Sequence, residues 1–163
     1  MPQEKSFVTW QNSYSVNLGL IDKQHMHLIN LTNELFAACM TDKEKTRVVF
    51  QETIREIVDY TRYHFTIEEK LMERVNYVNL GNHKQEHTEF VMSVHAKLEG
   101  TAISKPLAPL NFAYFLRGWI LNHIAHCDKK MGAYFQAMHK SGELEKMTIM
   151  VKKDETTNRL DIK

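Results

Sequence analysis

Histidine and acidic residues share one helical row in the middle of the chain. His64 and Glu68 are four residues apart, and the row continues through Ile57 and Leu71 in alternating steps of three and four. That spacing is typical of the inward face of a helix in a bundle. A carboxylate in such a core is costly unless it is paired or bound to a metal. The spacing therefore predicts that Glu68 meets a cation or other buried polar groups.

Three other stretches also place metal-ligand side chains on an inward row. They are His25 in one stretch, His83 and His87 four residues apart in another, and His123 with Asp128 in the last. A single inward histidine is more often a hydrogen-bonded core residue than a ligand, and a histidine pair at this spacing also arises by chance. Together, however, five histidines and two carboxylates would make an expensive core unless a metal received them.

The number and type of these donors indicate the kind of metal site. Seven donors exceed what one tetrahedral zinc ion needs, and they suit two six-coordinate metals that share bridging carboxylates. Imidazole and carboxylate donors without a thiolate favour iron. Cys127, four residues after His123, is a competing ligand.

The last helix shows a slip of one residue in its inward row. After His123 the row resumes in register with Asp128 rather than with Cys127; its apolar members are Phe112, Leu116, Trp119, Met131 and Phe135. A π-type bulge brings residues five apart onto one face of a helix. We therefore predict a π-type bulge between His123 and Asp128, which favours Asp128 over Cys127 as the ligand.

The elements that must position these side chains are helices. Apolar residues recur with a period near 3.6 almost throughout, and six Gly and three Pro are few for a turn-rich β fold. The pattern predicts an all-α, up-down-up-down four-helix bundle with helices at about 18–40, 43–75, 82–98 and 109–139. Residues 1–140 would form this domain, with an extended arm at 1–17, and 141–163 would be a polar, mobile C-terminal tail.

Two smaller features bear on the ends of these elements. The segment Thr41-Asp42-Lys43-Glu44 has the form of a capping box and should start the second helix. Trp10 in the arm is expected to pack against the bundle rather than act in the site.

Composition limits the partners and the compartment. The formal net charge of +1 argues against a nucleic-acid-binding surface. No apolar run approaches the length of a membrane span, and residues 1–12 have no signal-peptide core. The two cysteines, Cys39 and Cys127, do not make a disulfide framework. We therefore expect a soluble cytoplasmic protein with no nucleic-acid or membrane partner and no protein partner that the sequence identifies.

Four motifs, in this order and at these separations, resemble the bacterial branch of the hemerythrin family. The similarity covers about residues 7–138. The matching segments are Asp22-Lys23-Gln24-His25, His64-Phe65-Thr66-Ile67-Glu68-Glu69, His83-Lys84-Gln85-Glu86-His87-Thr88-Glu89-Phe90 and Trp119-Ile120-Leu121-Asn122-His123-Ile124-Ala125-His126-Cys127-Asp128. All seven ligand positions of that family are occupied by matching residues.

The resemblance implies an oxygen-bridged di-iron centre that binds O2 reversibly, for oxygen carriage, storage or sensing. It implies that one iron is held by His83, His87 and His123. The other would be held by His25 and His64 and would keep an open position. Glu68 and Asp128 would bridge the two irons.

Apolar residues adjoin the predicted ligands. Leu28, Phe65, Trp119 and Ile124 would form an apolar O2 pocket around the open iron, although ordinary core packing explains them equally well. No spare Glu, Lys or Tyr lies on the inward rows beside the site to act as a general acid or base, so we expect a binding protein and no enzyme. The alternatives are a di-iron enzyme acting on peroxide or nitric oxide or in iron–sulfur repair, a sensor working through a partner protein, and a structural bundle without metal.

Overall fold

The computed structural model describes residues 6–40, 43–99 and 107–139, and these residues form a four-helix bundle without a β-strand. A short 3-10 turn at Asn12–Tyr14 precedes the helices α1 (Gly19–Cys39), α2 (Lys43–Arg74), α3 (Leu80–Leu98) and α4 (Ala108–His123). A π-helical turn at Ile124–Asp128 joins α4 to α5 (Lys129–His139), so that α4 and α5 together form the fourth helix of the bundle. The all-α, four-helix prediction is confirmed.

The connection between α2 and α3 is shorter than the sequence predicts. Asn76 adopts a left-handed backbone conformation with φ of 52°, which ends α2. The N–H of Tyr77 then bonds back to the carbonyl of Met72, and α3 begins at Leu80, two residues before the predicted start. The turn is tight because this backbone hydrogen bond closes it directly.

Three other predictions concern the ends of elements: the start of α4, the capping box before α2 and the C-terminal tail. Pro109 is the second residue of α4, where its missing N–H costs no helical hydrogen bond. The proposed capping box rests on residues 41 and 42, and the polar tail on residues 140–163; both lie outside the described residues. The division into a domain at 1–140 and a tail at 141–163 stays a prediction.

The core has two apolar clusters with a layer of polar residues between them. The large cluster includes Leu28, Ile57, Phe90 and Leu116, and the small cluster includes Ile21, Leu71, Met131 and Phe135. Along every helix the candidate ligands lie between a member of one cluster and a member of the other. In α1, for example, His25 lies between Ile21 and Leu28. The two clusters thus seal the polar layer from solvent at both ends.

The N-terminal arm is fastened to α1 and α5. The Asp22 carboxylate accepts hydrogen bonds from the Ser15 hydroxyl at 2.6 Å and from the Val16 N–H at 2.8 Å. Lys129 donates to the Ser15 carbonyl at 2.5 Å. Gly132 lets the arm come this close, because a Cβ there would lie 2.4 Å from the Val16 carbonyl oxygen.

Trp10 packs against the large cluster, as predicted. None of the helices in the described part of the chain is long and apolar enough to cross a bilayer.

Candidate metal centre

The π-helical turn brings Asp128 into the polar layer. It spans Ile124–Asp128, which confirms the bulge that the slip in the apolar row predicts. Because the turn adds one residue, Asp128 shares a face with His123, and the Asp128 Oδ1 lies 3.2 Å from the His123 Nε2. Asp128 is fully buried, whereas Cys127 is partly exposed.

The structure brings all seven candidate ligands together in one buried layer. Their exposed fractions run from 0% to 3%. The Glu68 carboxylate lies 3.2 to 3.8 Å from the Nε2 atoms of His25, His64, His83 and His87. The Asp128 carboxylate lies 3.1 to 3.3 Å from the Nε2 atoms of His25, His83 and His123. Every imidazole therefore turns Nε2 towards a carboxylate.

The two oxygens of each carboxylate face different histidines. Glu68 Oε1 faces His25 and His64, and Oε2 faces His83 and His87. Asp128 Oδ2 faces His25, and Oδ1 faces His83 and His123. Each carboxylate thus spans two groups of imidazoles, which is the arrangement that a bridging ligand between two cations requires.

Ten polar atoms of the seven candidate ligands are buried with no hydrogen-bond partner in the described residues. Leaving one such atom unsatisfied costs about 1–3 kcal/mol, while the net stability of a whole domain is only about 5–15 kcal/mol. Protons on the imidazoles offset part of that cost, but a cation would satisfy oxygens and nitrogens together. The ten atoms are both oxygens of Glu68, both oxygens of Asp128, both ring nitrogens of His25 and of His123, and Nε2 of His83 and His87.

Two groups of these residues have the spacing that a metal ion needs. Within each group, one donor atom per residue lies within 4.8 Å of the others. Glu68 belongs to both groups, which are Glu68 with His83, His87 and His123, and Glu68 with His25 and His64. A third, partly exposed group contains Glu86, His123 and Cys127.

The carboxylates of the layer raise the pKa of three of its histidines. Burial lowers the pKa of His25 and His83, but the adjacent carboxylates of Asp128 and Glu68 outweigh it and raise both to about 9. The same balance raises the pKa of His123 to about 10.

The pKa values of the two acids and of His64 are lowered rather than raised. Burial raises the pKa of Glu68 and Asp128, but the surrounding histidines outweigh it and hold both below their usual range. Burial lowers the pKa of His64 to about 4, so its imidazole is neutral at physiological pH. Protons and metal ions would therefore compete for the same nitrogens, with the two carboxylates ionised throughout.

Two of the imidazoles donate a hydrogen bond from Nδ1, the nitrogen that faces away from the two carboxylates of the layer, to residues that the periodicity does not single out. The His64 Nδ1 donates to the Gln24 Oε1 at 2.8 Å, and the His87 Nδ1 donates to the Glu69 Oε1 at 2.9 Å. These bonds put the ring proton on Nδ1 and leave Nε2 free for a metal. Both residues are part of the motifs quoted above, where each adjoins a candidate ligand.

The four residues predicted to form an O2 pocket surround this layer. Leu28, Phe65 and Ile124 are buried in the large cluster, and Trp119 packs against it. Phe65 stacks on His87 with ring centroids 3.5 Å apart, and Trp119 stacks on His123 at 4.4 Å. Phe65 and Trp119 thus lie against imidazoles that the resemblance assigns to the iron without the open position. The pocket role of all four stays a prediction.

A groove of about 580 Å³ runs along α2 and α3 outside the layer. Phe65 and His87 form part of its lining, together with Val91 and Leu98.

Comparisons with known proteins identify relatives of this chain. The family model described as the hemerythrin HHE cation binding domain matches residues 16–135. A bacteriohemerythrin of Stenotrophomonas maltophilia is 33% identical over 128 residues, which cover 76% of this chain and 78% of the relative. A bacteriohemerythrin of Pseudomonas aeruginosa is 31% identical over 144 residues, covering 85% and 87%.

A solved structure of wild-type hemerythrin superposes with a TM-score of 0.61 at 26% identity, covering 78% of this chain and 96% of that one. The residues that the family model matches contain the whole polar layer, the small cluster from Val16 to Phe135, and the buried members of the large cluster apart from Val8 in the arm. From its sequence and its fold, this chain belongs to the hemerythrin family.

Proposed function

We propose that the polar layer holds two iron ions and that the chain binds O2 reversibly there. One iron would be held by His83, His87 and His123 and the other by His25 and His64. Glu68 and Asp128 would bridge them. The observation that carries the proposal is the division of each carboxylate between the two groups of imidazoles, in a layer where both oxygens of each acid have no hydrogen-bond partner among the described residues.

The two groups of imidazoles are unequal, which favours binding of a small molecule at one of them. Three imidazoles converge on one side of the bridging acids and two on the other. The iron held by His25 and His64 would therefore have one protein ligand fewer and room for an external one. When bound, two ferrous ions supply the electrons that reversible O2 binding needs.

The surroundings of the layer favour binding over acid–base catalysis. The large apolar cluster, including Leu28 and Ile124, keeps water away from the layer. Apart from Glu68 and Asp128, the buried residues of the described chain include no acid and no lysine. In the metal-free layer the histidines hold the pKa of both acids below its usual range, so neither carries a proton to donate, and in the iron-loaded layer both would be ligands.

The proposal is tested by admitting O2 to the iron-loaded protein after anaerobic reduction. We expect a visible absorption that forms on exposure to O2, disappears on deoxygenation and returns over repeated cycles. His25→Ala should abolish it, whereas His27→Ala, at a partly exposed histidine on the same helix that pairs with Glu56 instead, should not. Irreversible oxidation in the first cycle would contradict reversible binding, and sustained turnover of peroxide or nitric oxide would assign the protein as an enzyme instead.

A further inference from the structure

We propose that Glu69 and Gln24 are positioning residues that make the two iron sites unequal in their preference for ferric iron. The inference rests on the proposed function, because it assumes that His87 and His64 hold different irons. Behind His87 the acceptor is the Glu69 carboxylate, and behind His64 it is the Gln24 amide. Among the described residues, Glu69 is the one acid that accepts a hydrogen bond from the Nδ1 of a candidate ligand.

The chemical difference between the two acceptors has a predictable effect. A carboxylate draws the Nδ1 proton more strongly than an amide does, which makes the imidazole a stronger electron donor through Nε2. A stronger donor stabilises the more highly charged ferric ion. The site that includes His87 should therefore favour the ferric state more than the site that includes His64.

The environment of each acceptor supports this assignment. Glu69 is partly exposed, and its second oxygen lies 3.6 Å from the Lys84 ammonium, so its charge is solvated and fixed in direction. Gln24 is 3% exposed, and its Nε2 has no hydrogen-bond partner in the described residues. A carboxylate at position 24 would have to be desolvated in the core, which explains a neutral acceptor there.

The proposed site with the open position is thus the one whose imidazoles have no charged hydrogen-bond acceptor at Nδ1. The Nδ1 of His25, its other imidazole, has no hydrogen-bond partner in the described part of the chain, and neither has the Nδ1 of His123 in the other group. The two groups therefore differ in the acceptor behind one imidazole each, which is charged for His87 and neutral for His64. An iron held by two imidazoles without a charged acceptor would return to the ferrous state more readily. Because both ferrous ions would supply electrons to the bound O2, reversible binding would require both to recover them when it leaves, and this site would favour that recovery more than the other.

The test measures reduction potential and iron retention in full-length, iron-loaded protein. Glu69→Gln keeps the shape and the hydrogen bond and removes the charge, while Glu69→Leu removes both. We expect the ferric-to-ferrous preference of one iron to fall about tenfold in Glu69→Gln, which corresponds to a potential about 59 mV more positive for a one-electron couple. Glu69→Leu should shift the potential further and should also speed the loss of one iron to a chelator by about tenfold or more.

Two further variants separate this effect from simple charge and from simple packing. Glu89→Gln removes the same charge from an exposed residue of α3 that bonds Gln85 and no histidine, and it should leave the potential unchanged. Gln24→Leu should speed loss of the other iron.

Outcomes that overturn the inference differ from those that overturn the function. An unchanged potential in Glu69→Gln, or an equal shift in Glu89→Gln, in protein that retains two irons would refute the role of Glu69 alone. Loss of iron by the unmodified protein would refute the proposed function instead.

Discussion

Glu68→Gln is the substitution that should cost this protein the most iron. Glu68 has an exposed fraction of 0%, and its two oxygens face four imidazoles at 3.2 to 3.8 Å. Glutamine keeps the shape of the side chain but removes the charge and replaces one acceptor with a donor. Removing one member of a buried ion pair costs about 3–5 kcal/mol. In a chain of this size we expect the Tm of the metal-free protein to fall by about 6–20 °C.

The loss of iron should depend on whether the substituted residue belongs to one or to both groups of candidate ligands. Because Glu68 belongs to both groups of candidate ligands, Glu68→Gln should lower the iron content from about two per chain to near zero. His64 and His87 each belong to one group, so His64→Ala and His87→Ala should leave intermediate iron contents. Metal analysis after loading and desalting, with thermal unfolding followed by circular dichroism, measures both effects.

A matched control lies about one and a half turns further along α2. Glu73 is 51% exposed and pairs with Lys84 at 2.6 Å on the surface. Glu73→Gln should change the free energy of unfolding by no more than about 1 kcal/mol and should leave the iron content unchanged. If Glu68→Gln kept both irons and an unchanged Tm, the account of Glu68 as the shared ligand would be wrong.

Two further predictions concern the arm and the charges of the layer. Gly132→Ala should lower the Tm by several degrees, because the new Cβ would meet the Val16 carbonyl oxygen at 2.4 Å. Gly118→Ala, where a new Cβ would meet nothing within 4 Å, should be neutral or stabilising, and thermal unfolding compares the two variants. Loading iron at neutral pH should release protons, measurable by calorimetry in buffers of different ionisation enthalpy, because three imidazoles have raised pKa values. For the same reason the metal-free protein should lose stability as pH rises from neutral through about 9 to 10. These imidazoles stabilise the fold fully below their unfolded pKa of about 6.5, and that contribution is lost above their folded pKa. Thermal unfolding across this pH range checks the prediction, and a Tm that does not change with pH there would contradict it. The three are His25, His83 and His123.

Helical periodicity predicts which residues enter the polar layer, because it reports which side of a helix faces the core. His25, His64 and Glu68 are on inward rows in the sequence and are buried in the structure. The one-residue slip after His123 likewise locates the π-helical turn. These features are predictable because each depends on positions within a single helix.

Contacts between helices are not predictable in the same way. The bonds from His64 to Gln24 and from His87 to Glu69 join residues on different helices, and they depend on the rotation of each helix and on the side-chain rotamers. The close approach of Val16 to Gly132 depends on the path of the arm over α5. Periodicity holds no information about either, although the position of Gln24 and Glu69 next to candidate ligands is a clue that could have prompted the search.

The start of α3 differed for a local reason. The sequence predicts a turn up to residue 82, but the backbone bond from Tyr77 to Met72 closes α2 early enough for α3 to begin at Leu80. Hydropathy alone cannot place such a boundary, because an apolar residue such as Leu80, which packs against the small cluster, fits the last position of a turn as well as the first position of a helix.

Metal analysis of the native chain tests the central claim most directly. The protein would be isolated with iron available and without chelator, and its iron would be quantified per folded chain. The account predicts about two irons, held by a layer whose carboxylates otherwise have no hydrogen-bond partner in the described residues. A fully folded native protein without metal would contradict it.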